Sequence, residues 1–228
     1  MRDEDFEVFI EEFGEATHHI DVPQSAIERW RGKLPAQLLE YWREEGWGGY
    51  GDGLFWIVNP DEYEDLVDEW LDGTPLEEVD AFHAIARTAF GELFLCGETT
   101  GRSVKIVPLL NSIFVRNLTR KNPEQLDLSI KAFFGLDKDA CELNDESGTP
   151  MFERALKKLG PLESDEMYAF EPALIAGGKM DVDKLAKVKL DQHLTILRQL
   201  ASPTLPGVSG IPCVRRFEIQ IPMLNRSG

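Results

Sequence analysis

The side chains most concentrated for chemistry are carboxylates. Residues 61–78 carry Asp61, Glu62, Glu64, Asp65, Asp68, Glu69, Asp72, Glu77 and Glu78, and no lysine or arginine. A catalytic acid–base pair needs two such groups whose surroundings split their pKa values. No pair here is singled out by an apolar setting. The other use of a carboxylate run is a negative face for a basic protein partner. Tyr63, Leu66, Val67 and Trp70 recur at i, i+3, i+4 and i+7, so a helix following Pro60 buries that stripe and shows its acids to water. Asp61–Asp65, Glu64–Asp68 and Asp65–Glu69 are then like-charge i, i+4 pairs. Each opposes the helix by a few tenths of a kcal/mol. Two readings of these nine acids stay open. One is a solvated face whose first acids complement the helix dipole, and the other is a partner-binding face.

Other chemistry fails at the level of motifs. There is no GxSxG elbow, no P-loop, no GxGxxG after a strand, no HExxH and no Cys/His ligand set. His18 and His19 are adjacent but lack the further ligands of a metal site. Asp137, Asp139, Asp145 and Glu146 lack the spacing of a calcium loop. His83 falls in an expected strand with no nucleophile motif nearby, and His193 in an expected helix. Both read as structural. GWGGYGDG, residues 46–53, lacks the Lys-Ser/Thr of a phosphate loop and reads as tight turns among tryptophans. The expectation is no enzyme activity, no cofactor and no metal.

Composition narrows the class further. Apolar residues make up 43% of 228, enough for a sizeable core. No apolar run approaches the roughly 18–20 residues that span a membrane. The start, MRDEDFEVFIEE, is acidic where a secretory signal would be basic and then apolar. Cys96, Cys141 and Cys213 are scattered and odd in number, as in a reduced protein. A cytoplasmic location is therefore expected. The net charge of −17 is lopsided: residues 1–80 hold 23 Asp/Glu against 5 Lys/Arg, and the remainder 18 against 19. Such a front third attracts basic proteins and disfavours direct nucleic-acid binding, which needs clustered Lys/Arg.

The elements follow from periodicity and punctuation. Phe6, Phe9, Ile10 and Phe13 predict a helix that Gly14 stops. Ser25 and Glu28 have capping-box spacing, with Ile27 and Trp30 facing inward. Pro35 opens a helix burying Leu38, Leu39 and Trp42, and Gly46 ends it. Leu54–Val58 is a buried strand, and Asn59-Pro60 starts the acidic helix. Phe82–Ala89, Glu92–Cys96, Ser103–Val107 and Ser112–Arg116 predict a four-stranded antiparallel meander. Leu126–Phe134 reads as helical. Thr149-Pro150 opens a helix that Gly160 closes. A turn-rich piece then holds Tyr168 and Phe170. Asp181 starts a last long helix burying Leu185, Val188, Leu194, Leu197 and Leu200. Arg215–Pro222 is a strand or an added tail.

Two strings carry a family resemblance. LPxxLLxYWxxxGWxxYGxGLFWxVNPxEY, residues 34–63, resembles the signature of the GAD-like domain, and AFGELFLCGETTGRSVKIVPLLNSIF, residues 89–114, fits its later part. FxxALxxLGPLxxDExYxFxPALxxGG and the later LxKVxxxxHLxIL resemble the C-terminal domain that accompanies it in type VI secretion immunity proteins. The implied fold is α+β: short N-terminal helices plus an antiparallel sheet, then a mainly helical C-terminal domain. The expected divisions are 1–120 for the GAD-like domain, 121–148 for a junction, 149–201 for the immunity-type domain and 202–228 for a tail. The resemblance implies a cytoplasmic protein that binds and neutralises a cognate toxin. For a nuclease toxin, an acidic surface would occupy a basic substrate groove. The alternative is a non-catalytic regulatory module that recognises a different basic protein. Neither reading involves a membrane or direct nucleic-acid contact.

Overall fold

The computed structural model describes residues 2–206. The Asp3 side chain accepts from the Phe6 amide at 3.0 Å and caps α1 (Glu4–Phe13). Phe6, Phe9 and Phe13 share the buried face of α1. Phe6 lies 4.7 Å from Tyr41 and 5.1 Å from Phe134 between ring centroids, and Phe9 meets Tyr50 edge-on at 5.0 Å. These offset geometries suit the ring quadrupoles. Asp3 also accepts from Tyr41 Oη at 2.9 Å, Gln37 Nε2 at 3.3 Å and Lys131 Nζ at 2.9 Å. One carboxylate thereby joins α1 to α3 (Ala36–Glu45) and α5 (Pro123–Phe134).

Seven strands form one antiparallel sheet in sequence order: β1 (His18–Ile20), β2 (Trp47–Tyr50), β3 (Phe55–Ile57), β4 (Phe82–Thr88), β5 (Leu93–Gly97), β6 (Gly101–Val107) and β7 (Ser112–Val115). The expected meander is its second half. The first half corrects two expectations. His18 and His19, which follow the helix stop at Gly14 and would by sequence fall in a loop, lie in a strand, and the glycine run contains β2. Gly48 pairs with His19, and a Cβ on it would collide with the His18 carbonyl oxygen. One on Gly49 would press on the Trp56 ring at 3.1 Å. Glycine here permits close backbone approach inside a strand.

Between β1 and β2 come α2 (Gln24–Trp30) and α3. Ile27 and Trp30 are buried as expected, but α2 starts one residue before Ser25, and Pro23 occupies the cap position without a side-chain hydrogen bond. The Ser25/Glu28 capping box does not form, because Ser25 is already within the helix. Leu38, Leu39 and Trp42 are buried on α3, and Gly46 closes it.

After β7, α5 begins with a capping box between Asn122 and Gln125, and buries Ile130, Phe133 and Phe134. Then α6 (Phe152–Leu159) starts three residues beyond Thr149. Its first amides are met by a distant acid, since Glu142 Oε1 accepts from Phe152 N at 3.0 Å and Met151 N at 3.2 Å. Gly160 ends it. The aromatic piece around Tyr168 is β8 (Glu166–Phe170), paired antiparallel with β9 (Leu185–Lys189). The long helix expected from Asp181 is thus three elements: a 3-10 turn at Val182–Lys184, β9, and α7 (Leu190–Leu200). Pairing with β8 decides this, and Lys189 Nζ meets Asp165 at 2.6 Å. Leu200, expected inside, is 57% exposed. The chain of residues 202–206 touches the sheet, where Ser112 Oγ and Thr204 Oγ1 lie 2.7 Å apart. The Arg215–Pro222 segment lies outside the described residues.

Arg87 on β4 is fully buried. Its guanidinium lies 4.5 Å from the Trp56 ring and donates to Ser164 O at 2.9 Å, Thr88 O at 3.2 Å and Glu163 O at 3.4 Å. Burial pushes its pKa down, and the nearby Tyr63 and Asp165 pull it back up. Arg87→Ala leaves buried carbonyls unpaired and opens a cavity. The expected cost is about 3–4 kcal/mol in urea unfolding; a loss below about 1 kcal/mol would show that the clamp contributes little.

The Asp3 network makes a second prediction. Burial would raise the Asp3 pKa, but hydrogen bonds from Lys131, the Phe6 amide and Tyr41 outweigh it and hold the group below its ordinary value. A depressed folded pKa adds stability above the unfolded pKa, and that stability is lost as pH falls through the folded value. Asp3→Asn is therefore less stable than the parent near neutral pH, and the gap narrows in acid. Urea melts between about pH 7 and about pH 2 measure it. A gap independent of pH would remove Asp3 from the acid response.

Candidate partner-binding site

Asn59 and Pro60 set the geometry of the acidic segment. The Asn59 side chain accepts from the Asp61 amide at 3.2 Å, and Pro60 opens a 3-10 turn, Pro60–Glu62. The α-helix proper, α4, runs Glu64–Leu71. Tyr63, Leu66, Val67 and Trp70 are all buried, as the stripe predicts. Asp61 precedes α4, so Asp61–Asp65 is not a pair within one α-helix. Asp61 instead meets Arg29 of α2 at 3.1 Å, and Glu64 meets the same guanidinium at 3.4 Å.

The remaining acids converge. Glu64, Asp65, Asp68, Glu69 and Asp72 line one side of an open groove of about 790 Å³; Glu77, Asp80, Ala81, Phe82 and His83 complete it. Asp65, Asp68 and Asp72 are exposed, and their carboxylates make no hydrogen bond or ion pair among the described residues. Glu77 accepts from the Gly73 amide at 2.9 Å, which folds the 72–78 turn back along the groove. Three expected residues fall elsewhere. Asp61 is engaged by Arg29, Glu62 lines a small cleft with Ser164 and Asp191, and Glu78 is exposed outside the groove.

Asp80 and His83 are groove residues that the sequence reading did not assign. Asp80 caps the β5–β6 turn, accepting from the Thr99 and Thr100 amides at 2.9 Å and 2.7 Å and from Thr100 Oγ1 at 2.8 Å. His83 Nε2 sits 3.2 Å from Glu98 Oε1, with its ring edge-on to Trp30 at 4.6 Å. Asp80 stands beside a turn-forming stretch, but only strand pairing brings that stretch within reach of the groove.

The far side of α4 is held by α7. Thr195 Oγ1 donates to Glu69 Oε2 at 2.9 Å, and Arg198 donates to the carbonyls of Glu69 at 3.0 Å and Asp72 at 2.9 Å. Carbonyls in a helix's last turn lack intrahelical partners, and a cation there also suits the dipole. His193, also on α7, is half-buried, and desolvation lowers its pKa. Among the described residues, no group of three or more His, Cys, Asp or Glu is arranged to hold a metal ion. No helix of the described chain is long and apolar enough to cross a membrane.

Comparison with known proteins bears on the same architecture. Residues 4–110 match the family model of the GAD-like domain. Residues 127–201 match that of the T6SS immunity protein Tdi1, C-terminal. Together the two matches reproduce the order that the motifs imply. The GAD-like stretch contains the sheet strands through β6 and all of the acidic groove, while the Tdi1-like stretch contains α7. The crystal structure of Atu4351 from Agrobacterium tumefaciens is similar at 27% identity and a TM-score of 0.77, over 88% of this chain and 91% of that one. No curated protein matches the chain. Proteins of the two matched families are generally non-catalytic, and the Tdi1-like match supports a type VI secretion immunity role.

The α4–α7 contact is testable. Arg198→Ala removes both hydrogen bonds to the end of α4, and the expected loss is about 1 kcal/mol in urea unfolding. Amide hydrogen exchange should rise locally in α4, and unchanged protection there would show that α7 does not brace the groove.

Proposed function

We propose that this protein binds and neutralises a cognate toxin delivered by a type VI secretion system. The observation that carries the role is the match of residues 127–201 to the T6SS immunity protein Tdi1, C-terminal. We further propose that the acidic groove along α4 is the contact surface. Seven carboxylates line it and no lysine or arginine does. A toxin that acts on nucleic acid presents cations to phosphates, and these carboxylates match such a surface in charge. The inhibitor then works by covering the substrate groove in the cytoplasm, with no catalytic group, cofactor or metal of its own. Residues 1–120 and 149–201 act as its two parts, joined through 121–148. Their shared face is braced where Arg198 meets α4.

Co-expression with the toxin encoded beside this protein tests the role. The expected result is rescue of growth and a complex of roughly nanomolar affinity or tighter. Full toxicity in the presence of soluble, folded protein would sink the immunity reading. The double variant Asp65→Lys with Asp68→Lys tests the surface. Association slows by about tenfold or more at low salt, and its salt dependence weakens, while the circular dichroism spectrum is unchanged. Equal association rates at low and high salt would remove the groove from the interface.

A further inference from the structure

A second groove has the opposite character. It lies on the sheet face beside α5 and has a volume of about 750 Å³. Phe94, Lys105 and Phe114 form a cross-strand row on it, since Lys105 pairs with Phe94 on one side and Phe114 on the other. Simple alternation along β6 would send Arg102 to the opposite face from Lys105. The register between β5 and β6 shifts between Leu95 and Cys96, and this irregularity returns Arg102 to the Lys105 side. Its guanidinium lies 5.0 Å from both the Phe94 and Phe133 rings. Arg116 follows Phe114 by two residues and lines the same groove.

The two arginines of this groove are not compensated. Arg102 makes no ion pair or hydrogen bond among the described residues, and its Nε is buried without a partner. Burial and then the neighbouring Arg116 charge push its pKa down to about 10. The acid lining the groove, Glu92, is held by Lys105 at 3.0 Å and 3.2 Å. Arg116 also has no carboxylate partner among the described residues. Two arginines that repel each other, one of them seated on aromatic rings, in a chain of net charge −17, are relieved by an anion. Phe114 at 37% exposure and Leu110 at 57% give the groove an apolar rim. Its volume is in the range of small-molecule sites.

We propose that this groove binds a small organic anion, with one oxyanion group between Arg102 and Arg116 and an apolar or aromatic body against Phe114 and Leu110. A nucleic-acid strand does not fit, because two free cations supply too few phosphate contacts against a strongly negative chain. A flat protein surface does not reach Arg102, which is seated between two rings. The oxyanion is a phosphate or a carboxylate, and both are placed by the same guanidinium geometry.

Titrating the full chain with phenyl phosphate and, separately, phenylacetate tests the site, with thermal unfolding and Arg side-chain NMR as readouts. At least one probe should bind saturably, raise Tm and shift the Arg102 Nε–H resonance. Whichever binds identifies the oxyanion. Inorganic phosphate or acetate, lacking the body, should bind at least tenfold more weakly, and benzyl alcohol should not bind. Arg102→Gln and the exposed Arg116→Gln should each weaken the probe by tenfold or more. The Arg116 variant keeps the test open if the Arg102 variant fails to fold. No saturable binding of either aromatic probe would overturn the proposal. Binding retained in both folded variants, or a site that takes an acidic peptide but neither probe, would also overturn it.

Discussion

A single buried guanidinium connects the two halves of this molecule. Arg87 leaves the centre of the sheet, packs on Trp56 and hands its hydrogen bonds to the carbonyls of residues 163 and 164. A charge removed from water is tolerated only when its donors are met. The loop before β8 must therefore come to β4, and neighbouring backbone bonds reinforce it: Tyr168 N reaches Ala89 O at 2.8 Å. Once that loop is fixed, β9 is placed beside β8, α7 follows β9 without a break, and Arg198 arrives at the end of α4. The acidic groove thus has its shape because a buried cation of the sheet needs carbonyls.

Charge is sorted over the surface as well as along the sequence. Seven acids of residues 64–80 gather in one groove because α4 and the turn after it fold toward β4. The uncompensated arginines gather on β6 and just after β7, beside α5. A net charge of −17 thus conceals two local fields of opposite sign, each facing its own opening. Such separation avoids neutralisation within the chain and leaves both surfaces able to attract ligands.

The parts legible in the sequence were those governed by near neighbours. The Phe6–Phe13 face, the Leu38–Trp42 face, the Tyr63–Trp70 stripe and the four-strand meander all follow from local spacing, and each is present. Six of the nine acids in the predicted run share the groove for the same reason, since α4 carries four of them on neighbouring turns. What was missed depends on distant partners. β1 is a strand because β2 lies beside it, and its His-His-Ile carries little period of its own. β9 has Leu185 and Val188 at a helical interval but is extended through pairing with β8. Thr149 has the chemistry of a cap, yet Glu142 performs it for α6. Asp80 and Arg102 share this limitation. One is recruited by a turn across the sheet, the other re-aimed by a shift in strand register.

The order of the large sheet bears on how the chain reaches this state. Every strand neighbours the one before it in sequence, so no strand waits for a partner from a later part of the chain. Loop-closure cost grows slowly with loop length, so each addition in sequence order costs less than a pairing between distant parts of the chain. A chain leaving the ribosome can assemble the sheet progressively from its N-terminal end. The exception is α5, which returns to α1 and closes the aromatic layer through Phe134 and the Lys131–Asp3 contact. Until more than half of the chain has been synthesised, Phe6 and Phe9 lack that cover. The apolar face of the nascent sheet is then the surface most in need of protection from aggregation.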